Sequence, residues 1–313
     1  PFLLLIAAIG FAYWQTPTER LTRRRLLIFG VIPPIAGLVA VVNTWSFPTV
    51  LGVTWLVLTF APAPPLSLLP RGAFDRFRGS LTTLTRLTTR LTASTSRSGW
   101  RGRSDQSVFR RELSQTGGAL ILITGLVVIG VIWSLPFWLG TATGRSVGVV
   151  PAANRSSLGG LLIVHGGFLL AFIPYVARRG FHVSTEPALL ALTVVLGAAA
   201  AWAFGLSGLA LFGPLLIGGW YLLRTRTDAG YEMLLMIAGL GIAVLVEFLF
   251  VVEEAGPGRM NTVFKTYAQM WMLWSVAVGV MLARLTTVSR ESFPSVAGSD
   301  RLWQVTSMGI VIC

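Results

Sequence analysis

Apolar runs of about twenty residues recur along almost the whole chain. That is the length a helix, rising about 1.5 Å per residue, needs to cross a hydrocarbon core of about 30 Å. The candidate spans are residues 1–14, 26–42, 49–69, 117–136, 159–177, 187–204, 206–223, 231–252, 264–285 and 302–313, the first and last of them cut short. Inside a bilayer, a helix is the one open-ended structure that satisfies its own backbone. The expected fold is therefore all-α: a polytopic transmembrane helix bundle with about eight complete spans, two truncated terminal spans and no β-strands. Composition agrees. The chain is 54% apolar and 12% charged, with a mean hydropathy of +0.73, too greasy for a soluble globule. Its 11 Trp and 18 Phe suit a protein whose aromatic rings mark membrane interfaces.

Several function classes fall away at once. Cys313 is the single cysteine, which excludes an intrachain disulfide and a cysteine zinc cage. His165 and His182 are the only imidazoles, too few for a His-rich metal site. The net charge of +13 is a feature of nucleic-acid binders, but in a membrane protein it reflects basic cytoplasmic loops, and no nucleic-acid partner is expected. No Walker loop, HExxH or nucleophile elbow is present. Pro1 opens straight into an apolar run without a basic n-region, which argues against a signal peptide. The chain stops at Cys313 inside another apolar run, so the expectation is an internal piece of a longer membrane protein.

Basic residues orient the spans. Alternating them places 21 Arg in one set of connections, and only Arg145, Arg155, Arg259 and Lys265 in the other. The positive-inside rule then makes the first set cytoplasmic and puts residues 43–48, 137–158, a tight turn near Gly205, and 253–263 outside. The whole of 1–313 reads as one transmembrane domain carrying an Arg/Ser/Thr-rich cytoplasmic loop at 70–116. Within that loop, Leu81, Leu84, Leu87 and Leu91 share one helical face; the segment is either a helix lying on anionic lipid or a solvated linker.

The external connections carry the candidate site. NTWSFPT, Asn43 to Thr49, joins two spans, with a chain break expected at Pro48 and an aromatic anchor at Trp45. It is an ordinary turn or one wall of an external pocket. Residues 135–169 form a Gly-rich loop with an Asn154-Arg-Ser sequon, leading to His165, which is either a helix–helix hydrogen-bond partner or a substrate contact. The richest stretch is 247–265. On a helix, Glu247 and Glu254 share a face; Gly256, Pro257 and Gly258 break that helix, and Met260-Asn261-Thr262 starts the next. Arg259 offers a fork suited to phosphate, Lys265 a movable charge, and the new helix an anion-friendly N-terminus. The alternative is that Glu253 or Glu254 pairs with Arg259 or Lys265 and simply closes the loop.

GRMNTVFKTYAQMW (258–271) resembles the RMNTVFK-F-Y-Y-Q-A-W signature of the Chlor-Arch-YYY family of multi-pass membrane proteins. VVNTWSFPT (41–49) is similar to its N-T-W-D-F-P-T segment, and LPFWL, GVVP and SSLGGLLIVHG resemble its middle region. Thr266, Ala268, Met270 and Ser46 depart from the pattern, and the Tyr-Tyr-Tyr motif is absent. The family is similar in design to C-type glycosyltransferases, so the resemblance implies an enzyme acting on a polyprenyl-phosphate-linked sugar at the outer leaflet. Arg259, Asn261 and Lys265 would hold phosphate, with His165, Asn43 and Trp45 lining the substrate. Glu253 or Glu254 would hold a divalent metal or take the acceptor proton. The sequence itself identifies no cofactor, and beyond membrane lipids the partner implied is that sugar lipid. A transporter or lipid flippase, and a non-catalytic membrane scaffold, are the competing readings.

Overall fold

A computed structural model describes residues 2–43, 46–70, 102–140, 147–183, 187–225, 230–252 and 259–286, with side-chain detail beginning at 111 in the third of these stretches, ending at 180 in the fourth, beginning at 192 in the fifth and ending at 285 in the last. The described chain is almost wholly helical, and the all-α membrane bundle holds. Four helical stretches are long and apolar enough to cross a membrane: Leu21–Val42, Arg111–Trp133, Leu158–Gly180 and Met260–Leu285. The chain groups into two compact units, Pro1–Ala142 and Thr143–Cys313.

The first unit contains α1 (Phe2–Gln15), α2 (Leu21–Val42), α3 (Ser46–Phe60), a 3-10 turn at Pro65–Leu68, α4 (Gly102–Trp133) and the short α5 (Leu135–Gly140). The stretch Leu26–Val31 of α2 winds as a π-helix. It directly precedes Pro33 and Pro34, whose rings cannot accept an ordinary helical turn beneath them. The second half of α2 crosses α4 closely, and small residues make this possible. A Cβ on Gly37 would stand 2.9 Å from Trp133 Cβ and 3.0 Å from the Gly130 carbonyl oxygen.

The second unit contains β1 (Val147–Val149), α6 (Leu158–Val183), α7 (Pro187–Ala203), α8 (Ser207–Thr225), α9 (Tyr231–Val246), β2 (Leu249–Val251) and α10 (Met260–Thr286). Helices α6, α8, α9 and α10 close a ring, each packing on the next, and α7 lies against α8. The centre of the ring is Trp274 of α10. Its indole is fully buried, with the Phe168 and Phe172 rings each 5.3 Å away and Phe212 at 6.1 Å. Trp274 Nε1 donates to the Met236 carbonyl of α9 across 3.2 Å. It fits only because residue 239 has no side chain, since a Cβ there would run into the indole.

Several boundaries differ from the sequence expectation. The chain breaks before Pro48: Asn43 is extended, α3 starts at Ser46, and Pro48 sits in its first turn, where the missing N–H is tolerated. Span 49–69 ends at Phe60, ahead of the Pro62, Pro64 and Pro65 cluster. Helix α4 starts at Gly102, inside the stretch expected as loop. A tight turn does lie at Gly205, whose φ is +70°. The expectation of no strands fails: β1 and β2 pair antiparallel, with Gly148 opposite Phe250. Span 231–252 stops at Val246 for the same reason. The bonds Glu247 N–H to Val244 O and Phe248 N–H to Leu245 O tighten the last turn, and the aromatic and β-branched run after it suits an extended chain. The helix expected to carry Glu247 and Glu254 on one face therefore ends with Glu247 as its C-cap, and Glu254 lies outside the described residues.

Gly239→Ala overpacks the Trp274 site and should lower stability by about 1–3 kcal/mol. Gly241→Ala, a site with nothing within 4 Å of its Cβ position, should leave stability unchanged or raised. Thermal unfolding in detergent, followed by Trp fluorescence, compares the two.

Candidate functional site

The polar centre of the second unit is Glu247, at the C-terminal end of α9, with its side chain 3% exposed. A bare carboxylate there is costly, and donors from two segments satisfy it. Ser156, on the approach to α6, donates its backbone N–H to Glu247 Oε2 at 2.8 Å and its hydroxyl to Oε1 at 2.9 Å. Arg259, in the turn before α10, donates Nη1 to Oε1 at 3.2 Å and Nη2 to Oε2 at 3.3 Å. The same guanidinium reaches the Val246 carbonyl at 2.8 Å and Ser156 Oγ at 2.9 Å. From α8, Gly208 closes the fourth side: a Cβ there would stand 2.6 Å from Glu247 Cγ.

Arg259 is thus held by Glu247, which is neither of the acids proposed as its loop-closing partner. Both of its terminal nitrogens are committed within the protein. Its geometry fits a lock that fixes where α10 begins. Lys265 and Asn261 follow within the first two turns of α10, both half-buried. Glu253, Glu254 and Trp45 lie outside the described residues. Asn43 ends α2 in the first unit, its N–H bonded to the Val39 carbonyl at 2.8 Å.

His165 of α6 is fully buried. Its Nδ1 accepts a hydrogen bond from Trp271 Nε1 of α10 at 3.3 Å, the helix–helix bond that the sequence offered as one alternative. The imidazole is ringed edge-on by Tyr267 at 4.7 Å, Phe212 at 5.6 Å and Trp274 at 5.6 Å. Tyr267 and Trp271 also line a groove of about 290 Å³ with Met260, Val263, Phe264 and Ala268. These six positions fall on one face of the first three turns of α10, so helical periodicity builds the groove. Its lining side chains are almost entirely apolar, the Tyr267 hydroxyl and Trp271 indole N–H apart.

Sequence reasoning missed a second buried carboxylate. Glu232 opens α9 with its side chain 3% exposed. The Tyr175 hydroxyl of α6 donates to it, as do Arg284 Nη1 of α10 at 2.9 Å and the Gly230 N–H at 3.1 Å. The available signal was YEMLLMIAGLGIAVLVE, an apolar run bracketed by an acid at each end. Ser156 was also missed, because it reads as the last residue of a sequon whose Asn154 is exposed. Among the described residues, no three of His, Cys, Asp and Glu converge on a common point.

The sequence model of an uncharacterized membrane protein family, DUF2298, matches residues 1–274. The chain belongs to that family. The match takes in Ser156, His165, Glu247, Arg259, Lys265 and the whole groove, and stops before Arg284. No curated protein and no solved structure matches the chain.

Glu247→Gln removes the counter-charge of a nearly buried guanidinium and should destabilise the protein by about 3 kcal/mol. In a double-mutant cycle with Arg259→Met, the two losses should overlap by up to about 3 kcal/mol. Additive losses in chemical unfolding would mean the pair is not a unit.

Proposed function

We propose that this chain forms the lipid-carrier side of a C-type glycosyltransferase-like membrane enzyme, acting on a polyprenyl-phosphate-linked sugar at the outer leaflet. The observation that carries this reading is the groove on α10. An apolar channel along the first three turns of a span lies beside Asn261 and Lys265 in those same turns. An isoprenoid phosphate has the same two-part chemistry, a long apolar chain ending in an anion. The Chlor-Arch-YYY resemblance of 258–271 supports it, as does a charge asymmetry of the kind expected if 253–263 is external.

In this reading the prenyl chain lies against Phe264, Tyr267, Ala268 and Trp271, while Lys265 and Asn261 meet the phosphate. Lysine suits that role as a compact charge that can follow a headgroup. Arg259 is a positioning residue: through Glu247 and Ser156 it fixes the start of the helix that carries the other two. Glu253 and Glu254 remain the proposed holders of a divalent metal or of the acceptor proton.

The test is sugar transfer from polyprenyl phosphate by the protein that contains this chain. Lys265→Ala/Asn261→Ala should lower transfer at least tenfold, about 1.4 kcal/mol, with thermal stability unchanged. Ala268→Trp should raise KM for long-chain donors more than for short-chain ones. Normal transfer by both variants refutes the assignment, and donor movement across vesicles without turnover favours a flippase. The sidedness has its own check: an impermeant maleimide should label Ala153→Cys on intact cells and Thr18→Cys only after permeabilisation.

A further inference from the structure

Arg24, in the first unit, is fully buried. Its guanidinium lies over the Tyr13 ring, 4.1 Å from the centroid. Nη1 donates to the Thr16 carbonyl at 3.0 Å. Nε and Nη2 have no hydrogen-bond partner, and neither has the Tyr13 hydroxyl. The group cannot shed its charge, because arginine stays protonated in proteins. Nor do its described neighbours offer an acid. Glu19, in the adjoining turn, is exposed and accepts from Thr18 Oγ1 at 2.9 Å. Arg25 is committed to the Leu68 and Leu69 carbonyls at 2.8 and 3.0 Å.

The two unsatisfied nitrogens are not arbitrary. Nε–H and Nη2–H form one edge of the guanidinium plane and point the same way, the geometry that takes two oxygens of a single oxyanion. The Tyr13 hydroxyl, on the ring that the guanidinium covers and likewise without a hydrogen-bond partner, offers a further donor. A lone guanidinium removed from water is strongly unfavourable, whereas one with a bidentate anion is not. The surroundings favour a phosphate. Arg20, Arg23 and Arg25 crowd the same end of α2, at the margin of an apolar span where lipid headgroups lie.

We propose that Arg24 and Tyr13 form a phosphate site, occupied by the headgroup phosphate of an anionic membrane lipid and reached when the exposed turn 17–20 lifts. The site is independent of the glycosyltransferase reading and stands or falls without it.

The test compares thermal unfolding of the delipidated full chain in detergent with added phosphatidylglycerol, phosphatidylcholine or inorganic phosphate. Phosphatidylglycerol should raise the Tm by about 5 °C, and phosphatidylcholine should not. Arg23→Met, at an exposed position, should keep the shift, Arg24→Lys should keep only part of it, and Arg24→Met should abolish it. A shift reproduced by inorganic phosphate alone supports the site with the free ion as its ligand. The proposal is overturned if no anion shifts the wild type. It is equally overturned if Arg24→Met is at least as stable as wild type and keeps the full lipid shift, the behaviour of a buried cation that holds nothing. Should Arg24→Met fail to fold, native mass spectrometry decides: wild type retains phosphatidylglycerol adducts that Arg24→Lys has lost, whereas equal retention refutes the site.

Discussion

One carboxylate sets the geometry of the second unit. Glu247 ends α9 at a point where water is nearly absent, and a charge there must be met by donors from its neighbours or not be there at all. The donors come from the approach to α6 through Ser156 and from the turn before α10 through Arg259, while Gly208 at the start of α8 leaves room for its side-chain methylenes. The ends of α6, α9 and α10 therefore meet at one pair of oxygens, with the start of α8 packed against the Glu247 methylenes. A hydrophobic contact could slide by a turn at little cost. This arrangement cannot, because each displaced donor would leave an unsatisfied partner.

The opposite end of α9 repeats the device with different parts. Glu232 gathers Tyr175 of α6 and Arg284 of α10, so the outer turns of α10 are fixed to α9 at both ends by an arginine–carboxylate pair. Between the pairs lies Trp274, whose indole fills the space left by Gly239 and packs edge-on against Phe172 and tilted against Phe168. At 16 residues, α9 is about 24 Å long, shorter than a hydrocarbon core of about 30 Å. Its closing acid is 2% exposed within the protein, which explains why Glu247 needs so full a set of partners. The chain leaves α9 as β2, whose backbone groups pair with β1, so even this non-helical stretch leaves few polar groups open.

Much of this was legible in the sequence, and the remainder was not for identifiable reasons. Span existence follows from apolar length alone, and the turn at Gly205 and the start of α10 at Met260 follow from local chemistry. The pairing of Glu247 with Arg259 does not. Two carboxylates stand nearer to Arg259 in sequence, and what selects Glu247 is the convergence of segments up to 103 residues apart. Hydropathy is equally blind to the change from helix to strand after Val246, because Phe248 to Val252 is as apolar as the helix before it. Pro48 misled for the opposite reason: proline breaks helix interiors but is accepted in first turns, and sequence alone did not place the first turn.

The same geometry changes what each cation near the groove can do. An arginine with its fork closed on a carboxylate and a serine is a poor phosphate ligand. Recruiting it would release Glu247 into an environment that punishes a bare charge, and the binding energy gained at the phosphate would be spent there. Lys265 stands within the first two turns of α10, on the same helix as the groove. In the proposed reading the two tasks divide by chemistry: the planar bidentate group of Arg259 holds a permanent partner within the protein, and the compact, flexible charge of lysine suits a headgroup that comes and goes.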